Sequence, residues 1–278
     1  MANPPFDPYG NPVPSNPGAK RVTNSSGTTY PIRTNLALAN ILVTDSPETD
    51  TTTITGSAAA SNVNDLRNYA VSRAITLLGL TNPTVVIDEP FAKAPGTSPS
   101  FFPAAGGGGT SAQRTDRSGG WTTIASTASA GTDRSINAGG ACIVSNVGQT
   151  KWYQLWLFSI DTTVESGTFM EIGWIDTGVS ANQPKIGAIG SGSTTKFRAF
   201  DNTSGVNSSV NLDTGIHIGE HWCDGAGNIY MSIDGETAVT YATAKTAACQ
   251  PIAQVSNGST AAVRSVSIGH LVVVTPRS

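Results

Sequence analysis

The chain has 278 residues, enough for one large or two modest domains with a real core. Charged residues make up 13% of it, about half the usual share for soluble proteins, and Gly, Ser, Thr and Ala take their place. A formal net charge of -3 without a Lys/Arg run offers no footprint for nucleic acid or an anionic membrane surface. No apolar run approaches the ~18 residues of a membrane span.

The opening, "MANPPFDPYGNPVPSNPGAK", has no apolar stretch of the kind a secretory signal needs. Folding in the cytoplasm is the expectation. Cys142, Cys223 and Cys249 are odd in number, far apart, and lack C-x-x-C spacing, which predicts reduced, packed thiols.

Residues 1–34 carry Pro4, Pro5, Pro8, Pro12, Pro14, Pro17 and Pro31. Proline fixes φ and removes a donor, so this arm should be extended, with little helix or sheet of its own. It is either disordered or laid along a neighbour. Residues 35–92 read as a docking and oligomerisation region. A short apolar run, Leu36 to Val43, comes first, and the one convincing helix spans 61–79. Val63, Leu66, Ala70, Ala74, Leu77 and Leu78 follow helical spacing, Val71 and Ile75 widen the stripe, and Gly79 ends it. Little else nearby could cover that face. Leu66, Ile75, Leu77 and Leu78 are therefore the candidate residues of a self-association helix.

"NPTVVIDEPF", 82–91, reads as a short strand bounded by prolines. Residues 93–118, Pro-rich and then Gly-rich, read as a linker. From 119 to 278 short strands and turns succeed one another without helices, which argues an antiparallel sandwich or jelly roll. "NIYMSIDGETAVTY", 228–241, is the clearest local signal. Ile229, Met231 and Ile233 share one face, Tyr230 and Ser232 the other, and Asp234-Gly235 suits a type I′ turn. With "GIHIGEHWC" before it, 215–241 forms a meander.

That succession resembles a known family. A strand ending in "HW", a tight Asp-Gly loop, "IYMSIDGE" and a late "VSIGHLVVV" strand look like the second half of a concanavalin A-like lectin/glucanase jelly roll. The resemblance covers about 119–278 and rests on pattern. The Pro-rich arm, lone helix, Gly-rich joint and low charge also resemble bacteriophage virion proteins such as head decoration proteins or short fibres. The resemblance to fibres implies a homotrimer, docking of residues 1–80 onto other virion proteins, and a virion-surface location. A host-surface glycan is the further partner it implies.

Three stretches invite chemistry. "HIGEH", His217 to His221, fits the inverted zinc-protease motif, which needs a helix to put both histidines on one metal. Alternation here predicts a strand, where residues four apart stand roughly 13 Å from each other. "MEIGWIDTG", 170–178, suggests a glycosidase, but Glu171 and Asp176 are five apart and fall on opposite faces of a regular strand. The glucanase pattern E-x-D-x-x-E is absent, with Gly173 where its Asp would stand. "WIDTGVSANQPKIG", 174–187, offers Asp176 and Asn182 as weak candidate ligands of a calcium loop, but one carboxylate is too few for tight binding. Among the aromatics, Trp152 and Trp156 lie in a strand apolar on both faces and are expected in the core. No catalytic residues, cofactor or metal are expected.

The expectation is therefore a mainly β, non-enzymatic virion structural protein. A free carbohydrate-binding lectin module is the alternative, and a polysaccharide-degrading enzyme a more distant one.

Overall fold

A computed structural model describes residues 21–23, 29–31, 57–92, 102, 104–115, 120–138, 144–160, 167–176, 184–189, 193–201, 205–242 and 247–277. Most of the Pro-rich arm, the run at Leu36–Val43 and Cys142 lie outside them. Within the arm, β1 (Arg21–Thr23) and β2 (Thr29–Pro31) pair as a small antiparallel ribbon. The expectation of little sheet in the arm yields here, where a proline stands only at the end of the ladder, at Pro31 opposite Arg21.

Helix α1 (Ser57–Leu78) follows, starting four residues earlier than expected. Gly79 ends it at φ 62, a conformation that costs glycine least, while its N–H still bonds Ile75 O. The strands are β3 (Pro83–Glu89), β4 (Ala104–Gly106), β5 (Thr110–Arg114), β6 (Trp121–Ala125), β7 (Asp133–Asn137), β8 (Lys151–Ile160), β9 (Phe169–Asp176) and β10 (Lys185–Ile189). After them come β11 (Ser193–Phe200), β12 (Gly205–Asn211), β13 (Ile216–Asp224), β14 (Asn228–Ile233), β15 (Val239–Ala242), β16 (Cys249–Ser256) and β17 (Ser265–Pro276).

Two antiparallel sheets form a sandwich of the jelly-roll class. One runs β12-β11-β10-β9-β16-β7-β4. The eight-stranded sheet runs β15-β14-β13-β8-β17-β6-β5, with β3 also paired to β17. Side chains alternate along each strand, so each sheet has an inner and an outer face. Trp152, Trp156 and Phe158 of β8 meet Met170, Ile172 and Trp174 of β9 and Phe197 of β11 in one buried core. Trp152 and Trp156 are core residues, as their two-sided apolar strand predicted.

The other face of β8 explains the helix. Tyr153, Leu155 and Leu157 point away from the sandwich interior and join Ile218, Trp222, Val272 and Val274. Leu66, Ala70, Ala74 and Leu78, each four apart, lie on that surface and are buried. The two alanines let the helix approach closely. The chain's own sheet thus covers these four residues of the stripe. Leu77 is half-buried and Ile75 is 44% exposed.

The division at 93–118 changes accordingly. β4 and β5 fall inside the expected linker, yet β4 pairs with β7 and β5 with β6, one in each sheet. β3, upstream, pairs with β17. The short strands "AAG" and "TSAQR" carry too little apolar alternation to stand out in sequence, so the sandwich begins before residue 119.

The 228–241 stretch folds as its alternation indicated. Ile229, Met231 and Ile233 are buried in the core, and Asp234 and Gly235 have φ 53 and 78. Glu236 N–H closes the turn on Ile233 O at 3.1 Å. β15 starts only at Val239, so the connection is longer than a two-residue hairpin.

Candidate functional site

The "HIGEH" motif is strand β13, and the strand splits it. His217 and His221 point inward; Glu220 points to the opposite face, toward α1. His217 packs on Phe197 and is held at both ring nitrogens, by Asp234 at 2.7 Å and Asp213 at 3.0 Å. Burial pulls its pKa down, but the two aspartates outweigh burial and the pKa is raised. His221 lies edge-on to Trp152, its ring centroid 5.0 Å away. Burial lowers its pKa to about 3, so it is neutral. Among the described residues no group of His, Cys, Asp and Glu is arranged to hold a metal ion.

Glu220 anchors the helix. It is 1% exposed and accepts from Arg73 Nε at 2.6 Å, Arg73 Nη2 at 3.2 Å and the Tyr153 hydroxyl at 2.7 Å. Burial, then the Glu220 charge, pushes the Tyr69 hydroxyl up to about 12, and the Arg73 pKa is raised as well. Tyr153, Trp222 and Tyr230, neighbours across β8, β13 and β14, stack in a row beside it.

The outer face of the seven-stranded sheet is different. Glu171 alternates with core residues Met170 and Ile172, so it faces outward. Asp176, five residues on, falls on the inner side, as the strand argument required. The two cannot flank one glycosidic bond. Glu171 instead meets Lys185 Nζ at 2.5 Å, both side chains almost fully buried. Burial raises the Glu171 pKa and the Lys185 charge opposes that rise. Asp176 ends β9 beside Cys249; Asn182, its expected partner in a calcium loop, lies outside the described residues.

Glu171 belongs to a row. Register places Gly106, Ser135, Gln254, Glu171, Gly187, Arg198 and Asn207 side by side on all seven strands. At ~4.8 Å between strands the row is about 29 Å long. Gly187 interrupts it because a Cβ there would sit 2.1 Å from Met170 O. The glycine lets β9 and β10 close, and it is buried there beside Glu171. Arg198 donates to Asn207 Oδ1 at 3.0 Å and to Gly205 O at 3.2 Å, both neutral acceptors. Asn207 is exposed, and Ser135, Gln254 and Arg198 are half-buried.

Sequence reasoning found Glu171 but missed Lys185, Arg198, Asn207, Gln254 and Ser135. Alternation in "KIGAIG" does put Lys185 and Gly187 on one face. Only the strand order, however, brings them to Glu171.

No protein-family model and no curated protein sequence matches the chain. Solved structures do resemble it in architecture. A carbohydrate esterase from the Shiga toxin-encoding bacteriophage phi24B is similar at 12% identity and a TM-score of 0.43, over 63% of this chain and 90% of that one. The Emp47p carbohydrate recognition domain is similar at 8% identity and 0.41, over 62% and 89%. An alginate lyase of polysaccharide lyase family 7 is similar at 13% identity and 0.44, over 72% and 97%.

Proposed function

We propose that this chain is a non-catalytic virion structural protein that holds a saccharide on the outer face of its seven-stranded sheet. The observation that carries the binding reading is the row from Ser135 to Asn207. Donors and acceptors stand there side by side on paired strands, with Ser135, Gln254, Arg198 and Asn207 reaching solvent around the buried Glu171 and Gly187. Sugar hydroxyls need such paired polar groups. Glu171, the row's carboxylate, is tied to Lys185, and among the described residues of the row no second carboxylate stands beside it, which supports binding without turnover. The Pro-rich arm, the lone helix, the Gly-rich joint and the low charge of the whole chain support the virion role. Docking onto other virion proteins through residues 1–80, a trimeric state and a place on the particle surface belong to the same reading.

A free lectin module is the second reading, because α1 packs on its own sheet and so is not reserved for a particle.

A glycan array with the purified chain tests the binding. Arg198→Ala and Asn207→Ala should weaken a positive by roughly tenfold or more, since a hydrogen bond to a charged group is worth about 1.5–3 kcal/mol. Unchanged binding in both variants overturns the site. Turnover of a bacterial polysaccharide that disappears in Glu171→Gln overturns the non-catalytic reading. Mass spectrometry of purified particles decides the virion role.

A further inference from the structure

The sandwich interior contains polar atoms that its packing does not explain. Both ring nitrogens of His221, Gln154 Nε2 and Trp174 Nε1 are buried and make no hydrogen bond among the described residues. All three residues gather around Trp152. His221 and Gln154 are register partners across β13 and β8, on the inner face. Trp152, two residues from Gln154, touches His221 edge-on at 5.0 Å and Trp174 of the facing sheet at 5.1 Å. Other polar atoms here are satisfied: Trp152 Nε1 donates to Val147 O at 2.6 Å and Trp156 Nε1 to Gln154 Oε1 at 3.1 Å.

Buried polar groups in folded proteins are almost always hydrogen-bonded, and those left without a protein partner commonly bond ordered water. The chemistry narrows the occupant. A neutral imidazole offers one donor and one acceptor, the amide nitrogen offers donors, and the indole offers a donor. The occupant must accept from several groups and donate to one. A cation cannot accept, and a halide cannot donate. Water does both and is small enough for a close-packed core.

We infer that the inter-sheet space beside Trp152 is a hydration site, with buried water bonded to His221, Gln154 Nε2 and Trp174 Nε1. The site is independent of the glycan reading, because it lies on the inner faces of the sheets. It gives His221 a place in the core without ionisation and joins the two sheets by polar bonds at a point where both are otherwise apolar.

The test uses the full chain. A high-resolution crystal structure should show water at about 2.7–3.2 Å from a His221 ring nitrogen and from Gln154 Nε2. In solution, the Trp174 indole N–H should show a cross-peak to long-lived water. That cross-peak should be lost or strongly weakened in His221→Phe and in Gln154→Leu. A dry interior, direct bonds between His221 and Gln154, or a halide in place of water overturns the inference. So does a cross-peak unaffected in both folded variants. If a variant fails to fold, the wild-type density and cross-peak decide alone.

Discussion

Arg73 on α1 and Glu220 on β13 stand 147 residues apart in sequence and close a two-bonded ion pair at 2.6 and 3.2 Å. The carboxylate is buried, whereas the Arg73 side chain is 32% exposed. Removing the arginine leaves Glu220 with the Tyr153 and Tyr69 hydroxyls and no countercharge in this cluster. Breaking a fully buried pair costs about 3–5 kcal/mol; water can reach the Arg73 side, so about 2 kcal/mol is expected for Arg73→Ala. Glu220→Gln keeps an acceptor for Tyr153 and should cost less. Urea denaturation of both variants checks the order.

His217 predicts a pH dependence. Its folded pKa is raised because Asp234 and Asp213 outweigh burial. A raised pKa contributes stability that is complete below the unfolded value of about 6.5. That contribution is lost as pH rises through the folded value. Stability should therefore fall on going from slightly acidic to alkaline pH. The slope should flatten in Asp234→Asn, which removes the nearer of the two aspartates. Thermal unfolding across pH, with the His217 ring followed by NMR, measures both.

The Glu171–Lys185 pair should behave unequally on dissection. Lys185→Met strands a buried carboxylate and should cost about 3 kcal/mol or more, softened if Glu171 takes up a proton. Replacing both, Glu171→Leu with Lys185→Met, should cost much less, since buried pairs often trade for apolar residues without loss. A double-mutant cycle in denaturant gives the coupling.

Leu66 and Ile75 separate folding from association. Leu66 is 2% exposed and packs in the cluster beneath the helix, so Leu66→Asp should destabilise the chain by about 3 kcal/mol or more whatever its oligomeric state. Ile75 is 44% exposed, and Ile75→Asp should leave stability within about 0.5 kcal/mol. If α1 also joins copies of the chain, Ile75→Asp should lower the mass in solution while leaving the melting midpoint in place. An unchanged mass removes this face from any interface.

Protease nicking between 93 and 101 should not release a separate domain. β3 remains in the sheet through β17, and α1 remains on its outer face. The two pieces should co-elute under native conditions and part only in denaturant. Clean separation without denaturant would restore a two-part chain.

How far the sequence carried can be judged from particular residues. Strand β13 and the opposite faces of Glu171 and Asp176 were legible because alternation is a local property. The turn at Asp234-Gly235 was legible because few residue pairs accept two positive φ angles. The covered face of α1 was not, because Tyr153, Leu155, Val272 and Val274 come from strands far along the chain. Their apolar outer positions read simply as parts of doubly buried strands. The row across the seven-stranded sheet was invisible for the same reason. Ser135, Gln254, Gly187 and Arg198 become neighbours through pairing order, which no window of sequence contains. β4 and β5 were missed because they are short, lack large apolar residues and flank the Gly106–Gly109 run, which reads as a linker until partner strands claim both sides.

β17 holds the middle of the eight-stranded sheet, with β8 along one edge and β6 and β3 along the other. It is also the last strand described. During synthesis, β3, β6 and β8 must therefore wait with open edges until residue 276 has cleared the ribosome. Sheet closure is a late event here, and the contacts it makes join residues nearly two hundred positions apart. Such long-range pairing is slow and leaves apolar edges exposed meanwhile. Ribosome-stalled chains ending before residue 265 should bind holding chaperones and resist native folding, whereas release of the remaining strand should let the whole sandwich form in one step.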